Sequence, residues 1–134
     1  MIFGPSGSMG KLISNLALMD EEIKVVAALD VENIGSNLTK VIGSNSTNDV
    51  KIRDVKDLQE VINNNKLDVA VEFTTASATE QNGIICVKNN IRCVIGTTGL
   101  SERFLNKFNS LVVEHNSPAV LSSNMAPGVN VLFK

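Results

Sequence analysis

Nowhere does this sequence carry an apolar run of the roughly 18 residues that a membrane-spanning helix needs, so a membrane is not expected as a partner. An excess of charge of one sign is missing too. Twelve Lys and Arg stand against 14 Asp and Glu, a net charge of −2, which gives no electrostatic footprint for nucleic acid or an anionic surface. No basic, apolar leader precedes the first glycine, which makes a cytoplasmic location the expectation and Asn45-Ser46-Thr47 a chance match to a glycosylation sequon. Cysteine is scarce. Cys86 and Cys93 form no Cys-x-x-Cys pair and are expected as buried, reduced thiols. The single histidine, His115, falls between a predicted helix and a predicted strand and reads as a surface residue; no metal site is expected.

What is present suits one soluble globular domain. The 134 residues are 43% hydrophobic and 19% charged, enough to bury a core. Short runs rich in Val and Ile occupy residues 23–29 (IKVVAAL), 67–73 (LDVAVEF), 91–95 (IRCVI) and 118–121 (PAVL). Each reads as a strand buried on both faces, as in a parallel sheet. Helical patterns over 9–19, 55–63, 77–89 and 101–115 lie between them. Ser101 offers an N-cap and Asn89-Asn90 a stop. Residues 31–49, rich in Asn, Ser and Gly, read as a surface loop, with a short strand at 50–53. Alternating strands and helices predict an α/β fold: a Rossmann-like, doubly wound, mostly parallel sheet with helices on both faces. Both ends look abrupt. Three residues precede Gly4, and the apolar pattern of 128–134 stops without a cap, so residues 1–134 read as one incomplete dinucleotide-binding domain.

The stretch GPSGSMGKL, residues 4–12, is a glycine-rich turn suited to a phosphate. An ATP-type loop would need glycine where Pro5 stands and Ser or Thr where Leu12 stands, so that reading fails. The strict G-x-G-x-x-G pattern fails as well. What remains is Gly4-x-x-Gly7-x-x-Gly10 between a strand and a helix, and its physics suits a pyrophosphate. Glycines allow a tight turn and close backbone approach, and the following helix presents free N–H groups and its positive end. Asp30 ends the second predicted strand, twenty residues after Gly10, where a dinucleotide fold places the carboxylate that accepts from the adenosine ribose.

Three further stretches are VEFTTA at 71–76, GTTG at 96–99 and SSNMAPGVNV at 122–131. Together with GPSGSMGK they resemble the N-terminal domain of the 4-hydroxy-tetrahydrodipicolinate (dihydrodipicolinate) reductases, in family order and spacing. The resemblance implies an enzyme of lysine and diaminopimelate biosynthesis that transfers hydride from NADH or NADPH to a small cyclic dicarboxylate, dihydrodipicolinate. It implies that Gly4, Pro5, Ser6, Gly7, Ser8, Met9 and Gly10 cradle the pyrophosphate and that Asp30 holds the ribose. Phe73 and Thr74 sit at a strand end facing the crevice. Gly96, Thr97 and Thr98 would run along the nicotinamide, Thr98 also meeting the substrate edge. Ser122, Ser123, Asn124 and Met125 would close the pocket. Full-length members are homo-oligomers.

Two departures qualify the match. Members that read the 2′-phosphate of NADPH carry arginines where Ser8 and Val31 stand here, so NADH is the preferred cofactor and NADPH a possible one, with Lys11 the nearest cation in sequence. The family's substrate domain, with its histidines and lysine, and the C-terminal return segment are not in this sequence. None of the residues here is therefore assigned a catalytic role, and the chain is expected to bind cofactor without turning over substrate alone. Three other readings stay open. The cofactor domain of another NAD-dependent dehydrogenase would share the glycine turn and Asp30. A non-catalytic nucleotide- or CoA-binding domain would prefer CoA or AMP to NADH. An inert fragment would give no ligand-induced shift in its unfolding midpoint.

Overall fold

The computed structural model describes residues 1–123 and Met125. Six short strands, β1 (Ile2–Phe3), β2 (Ala28–Asp30), β3 (Ile52–Asp54), β4 (Val69–Glu72), β5 (Arg92–Ile95) and β6 (Ala119–Leu121), form one parallel sheet in the order 3-2-1-4-5-6. The register runs Ile2 to Ala28 on one side and Ile2 to Val71 on the other, and continues Val71 to Val94 to Val120. Helices α1 (Ser8–Met19), α3 (Leu58–Asn64), α4 (Ala76–Lys88) and α5 (Glu102–Glu114) alternate with the strands. The predicted Rossmann-type architecture is the one observed. No helix among the described residues is long and apolar enough to cross a membrane.

Alternation along the strands splits the core into two. Phe3, Leu29, Ala70, Cys93 and Ile95 face α3, α4 and α5, whose Val61, Val87 and Phe108 complete the larger cluster. Ile2, Ala28 and Ile52 face the other way, against α1 and the short helix α2 (Leu38–Ile42). This second face is covered unevenly. Ala28 and Ile52 are fully buried, whereas Val120, in the same row, is 58% exposed. The expectation that 118–121 is buried on both faces is therefore corrected: among the described residues β6 ends the sheet, and no described helix packs over its second face.

Three boundaries also move. The predicted strand 23–29 contributes only its end to the ladder, because β1 offers Ile2 and Phe3 alone to pair, and Ile23 lies exposed. The strand predicted at 50–53 shifts to Ile52–Asp54. The predicted loop 31–49 contains α2, which sequence reading missed. Its signals are local: Asn37 accepts from the Thr39 backbone N–H, Gly43 closes the helix in the left-handed region at φ +70°, and Leu38 and Ile42 bury one face at i and i+4. Ser101 caps α5 as expected, accepting from the Phe104 N–H. His115 sits at the C-terminal end of α5 and is half-buried, not fully exposed. Both cysteines are buried free thiols.

Candidate active site

The turn between β1 and α1 is shaped by backbone contacts that leave no room for side chains. Gly4 lies at φ +67°, in the left-handed region, and its N–H donates to the Leu29 carbonyl at 2.9 Å. A methyl group on Gly10 would stand 1.9 Å from the Gly4 carbonyl oxygen and 2.8 Å from Pro5 Cα, so α1 packs directly on the turn. Pro5 is buried beneath it. Gly7 caps α1 without a side-chain hydrogen bond, and the first turn holds no acidic residue. The positive end of the helix is thus left for an anion. Ser8 and Met9 are exposed in that first turn.

Asp30 ties this turn to the neighbouring strand. Its Oδ2 accepts from the Ser6 N–H at 2.9 Å, and its Oδ1 accepts from the N–H groups of Val31 at 2.7 Å and Glu32 at 3.2 Å. A carboxylate offers about four acceptor sites, so capacity remains for a ribose hydroxyl. Asn33 then reaches back to donate to the Ser6 hydroxyl at 2.9 Å. Gly4, Ser6, Gly7, Asp30, Phe73 and Thr74 together line a cleft of about 330 Å³. It opens at the carboxyl ends of β1, β2 and β4, where the winding of the sheet reverses and α/β folds bind their ligands.

The GTTG turn meets the same crest. Gly96 follows β5, and its N–H donates to the Glu72 carbonyl at 3.0 Å. A Cβ on Gly96 would lie 1.9 Å from Cε1 of Phe73, so the Phe73 ring rests on the Gly96 backbone. Thr98 is exposed, but Thr97 turns inward, its hydroxyl 2.7 Å from that of Thr79. Ser122 follows β6, its N–H donating to Ile95 at 3.0 Å, with Ser123 exposed and Met125 half-buried beyond it. Asn124 and residues 126–134, including most of the SSNMAPGVNV stretch, lie outside the described residues. Pro5, Ser8, Met9, Gly10, Gly96, Thr97, Thr98, Ser122, Ser123 and Met125 are not among the residues lining the 330 Å³ cleft.

Sequence reading passed over several residues here. Glu32 lines the cleft beside Asp30, and Asn82 lines it from α4. Glu72 is 2% exposed, although it is charged and lies in a strand of Val and Ala. Its Oε2 accepts from Asn82 Nδ2 at 3.0 Å and its Oε1 from the Thr74 hydroxyl. The available signal was a charge within the apolar run 69–73 (VAVEF). Burial raises the Glu72 pKa above the ordinary 4.5, while hydrogen bonds from Thr74 and Asn82 oppose the rise. The folded chain therefore holds this proton more tightly than the unfolded chain does. The resulting stability is complete below the ordinary carboxyl value and is lost as pH rises through the raised one. Thermal melts of the wild type and Glu72→Gln should diverge accordingly. The wild-type midpoint is expected to fall relative to that of the amide variant as pH rises above about 4.5; parallel curves would contradict a raised value.

A larger hollow, about 920 Å³, runs from Lys24 and Asp68 at the amino-terminal end of the strands along α1 and the second face of β1 and β4, where Ile13, Leu16, Ile2 and Val71 line it. Its size does not make it the candidate site. Neither the glycine turn, Asp30 nor GTTG reaches it, and ligands of such sheets bind at the carboxyl ends.

Comparison with known proteins adds a family. The model for the N-terminus of dihydrodipicolinate reductase matches residues 1–125. The 4-hydroxy-tetrahydrodipicolinate reductase of Methanococcoides burtonii is 35% identical over 133 residues, covering 99% of this chain and 50% of the relative. That of Methanocaldococcus jannaschii is 36% identical over 136 residues, covering 99% of this chain and 49% of the relative. A solved structure of dipicolinate-bound dihydrodipicolinate reductase from Paenisporosarcina superposes with a TM-score of 0.80 at 28% identity, over 98% of this chain and 49% of that one. The chain spans about half the length of the curated relatives it matches.

Proposed function

The chain belongs to the dihydrodipicolinate reductase N-terminal family, and from that premise we propose that it is the NADH-binding portion of a reductase acting on dihydrodipicolinate. When bound, the cofactor supplies a hydride, which yields tetrahydrodipicolinate. The residues of this chain bind and orient it. The N–H groups at the start of α1 meet the pyrophosphate, Asp30 accepts from the adenosine ribose, and Thr74 and the Gly96-Thr97-Thr98 turn flank the nicotinamide end. Thr98, exposed on that turn, meets the edge of the substrate. Asn124 retains a proposed role in closing the pocket on the strength of the family resemblance alone. That resemblance also supports a cytoplasmic, homo-oligomeric enzyme in lysine biosynthesis, with substrate turnover requiring more than this chain.

The observation that carries the reading is the junction of Asp30 with Ser6, a carboxylate bound to the backbone of the glycine turn at the reversal point of the sheet. It supports NADH over NADPH as well. Asp30 and Glu32 both line the cleft, Val31 between them is apolar, and a 2′-phosphate there would face two carboxylates. Following nicotinamide emission as the chain is titrated with NADH or NADPH, and its loss as CoA or AMP displaces bound NADH, tests this directly. Saturable NADH binding, tighter than that of NADPH, CoA or AMP, is expected. Tighter binding of CoA or AMP would favour the non-catalytic reading, and no binding of any of them would sink both.

A further inference from the structure

Below the crest of the sheet, five polar side chains form one continuous hydrogen-bonded path. Asn82 Nδ2 donates to Glu72 Oε2 at 3.0 Å, and the Thr74 hydroxyl bonds Glu72 Oε1. The Thr79 hydroxyl, fully buried, lies 3.4 Å from that of Thr74 and 2.7 Å from that of Thr97. No ion pair with Glu72 occurs among the described residues, and its charge acts on the buried Cys86 thiol of α4, whose pKa it helps to raise.

Core stability alone does not call for this arrangement. Burying a carboxyl group is costly, and an apolar residue in its place is often neutral or better for stability. A fully satisfied buried network has a different use, which is to fix one geometry of its members. Here the two ends of the path are crevice elements. Thr74 lines the cleft, and its Cγ2 packs so close to Gly4 that a Cβ there would lie 2.6 Å away. Thr97 belongs to GTTG and has no other side-chain partner described for its hydroxyl than Thr79.

We propose that Glu72 is a positioning residue for the cofactor crevice, holding Thr74 against the glycine turn directly and the GTTG turn through Thr79 and Thr97. The proposal rests on the reading of this crevice as the dinucleotide site. With the Thr74 hydroxyl donating to Glu72 Oε1, the hydroxyls point in series, Thr97 to Thr79 to Thr74 to the carboxyl group, because each hydroxyl has one proton to give. A glutamine can keep that direction, with Oε1 facing Thr74 and Nε2 facing the reoriented Asn82 amide. Leucine leaves Thr74 without its acceptor. Thr79→Val cuts the path between Thr74 and Thr97 for the exchange of a hydroxyl by a methyl.

The test reads two quantities on the intact chain: the backbone amide resonances of Thr97 and Thr98 without ligand, and the NADH dissociation constant. Glu72→Leu and Thr79→Val should each shift both amides and weaken NADH about tenfold, while Glu72→Gln stays within about twofold of wild type. Thr97 and Thr98 amides unmoved by Glu72→Leu, or Glu72→Gln as damaging as leucine, would overturn the proposal. If Glu72→Leu does not fold, Thr79→Val decides by the same criteria. If wild-type protein binds no NADH, the crevice reading fails, and the amide shifts still decide whether Glu72 sets the turn.

Discussion

Gly10→Ala is expected to abolish NADH binding and to lower stability by about 3 kcal/mol, the upper range for forcing extra volume into a packed site. The added methyl would lie 1.9 Å from the Gly4 oxygen, 2.7 Å from the Gly4 carbonyl carbon and 2.8 Å from Pro5 Cα. All three are backbone atoms, so no side chain can swing aside. Since carbon contacts settle near about 3.5 Å, α1 must move away from the turn or the turn must open. Either movement pulls Ser6 from Asp30 and displaces the helix end that would meet the pyrophosphate. Gly7→Ala is the internal control. Its methyl would meet only the Gly4 oxygen, at an ordinary 3.6 Å, and Gly7 has φ −76°, which alanine adopts freely. That variant should melt within about 0.5 kcal/mol of wild type, though it can still crowd a bound phosphate. Circular dichroism melts and nicotinamide emission read the two effects separately. A Gly10→Ala protein with wild-type melting and affinity would show that the packing of α1 on the turn is not the constraint described.

How far the sequence announced all this depended on whether a signal was periodic, local or distributed. The parallel sheet was legible because its strands read as short runs rich in Val and Ile, and LDVAVEF and IRCVI mark β4 and β5 to within two residues, although Val69, Val71 and Val94 are half-buried and Arg92 is exposed. Helix α2 was not, since five residues are too few for a helical period and the Asn and Gly that flank it also mark loops. Their capping roles appear only with Leu38 and Ile42 seen buried on one side. The exposure of β6 was illegible for another reason. PAVL has the composition of an interior strand, and only the packing in space shows that no described helix covers the face carrying Val120, whereas α2 covers Ile52 at the other end of the sheet.

The site divided along the same line. The glycine turn, Asp30, Phe73 and GTTG stood out because backbone geometry and ligand chemistry demand particular residues at particular spacings. The supports behind them did not. Glu72, Thr79 and Asn82 are ordinary residues on a strand and a helix, and they become a unit only when β4, α4 and the turn after β5 converge. The direction of Thr97 is the sharpest instance. As a letter in GTTG it reads like Thr98, yet one is buried on Thr79 and the other exposed.

Asp30→Ala should weaken NADH about a hundredfold and NADPH much less, shifting the ratio of the two towards NADPH. Hydrogen bonds to a charged group contribute about 1.5–3 kcal/mol each, and about 1.4 kcal/mol is a factor of ten. Loss of the ribose contacts therefore accounts for one to two factors of ten with NADH. With NADPH the same substitution also removes a negative charge from the neighbourhood of the 2′-phosphate, which offsets part of the loss. The variant frees the Ser6 N–H as well, now held at 2.9 Å, and loosens the glycine turn for either cofactor. A loosened turn alone would weaken both cofactors by the same factor, so the difference between them isolates the contact at the ribose. Glu32 remains beside the site in the variant, so NADPH binding is not expected to become tight. Equal losses for NADH and NADPH would reduce Asp30 to a tether of the turn. Wild-type protein that already binds NADPH more tightly would mean that Lys11, exposed on α1, reaches the 2′-phosphate and outweighs both carboxylates.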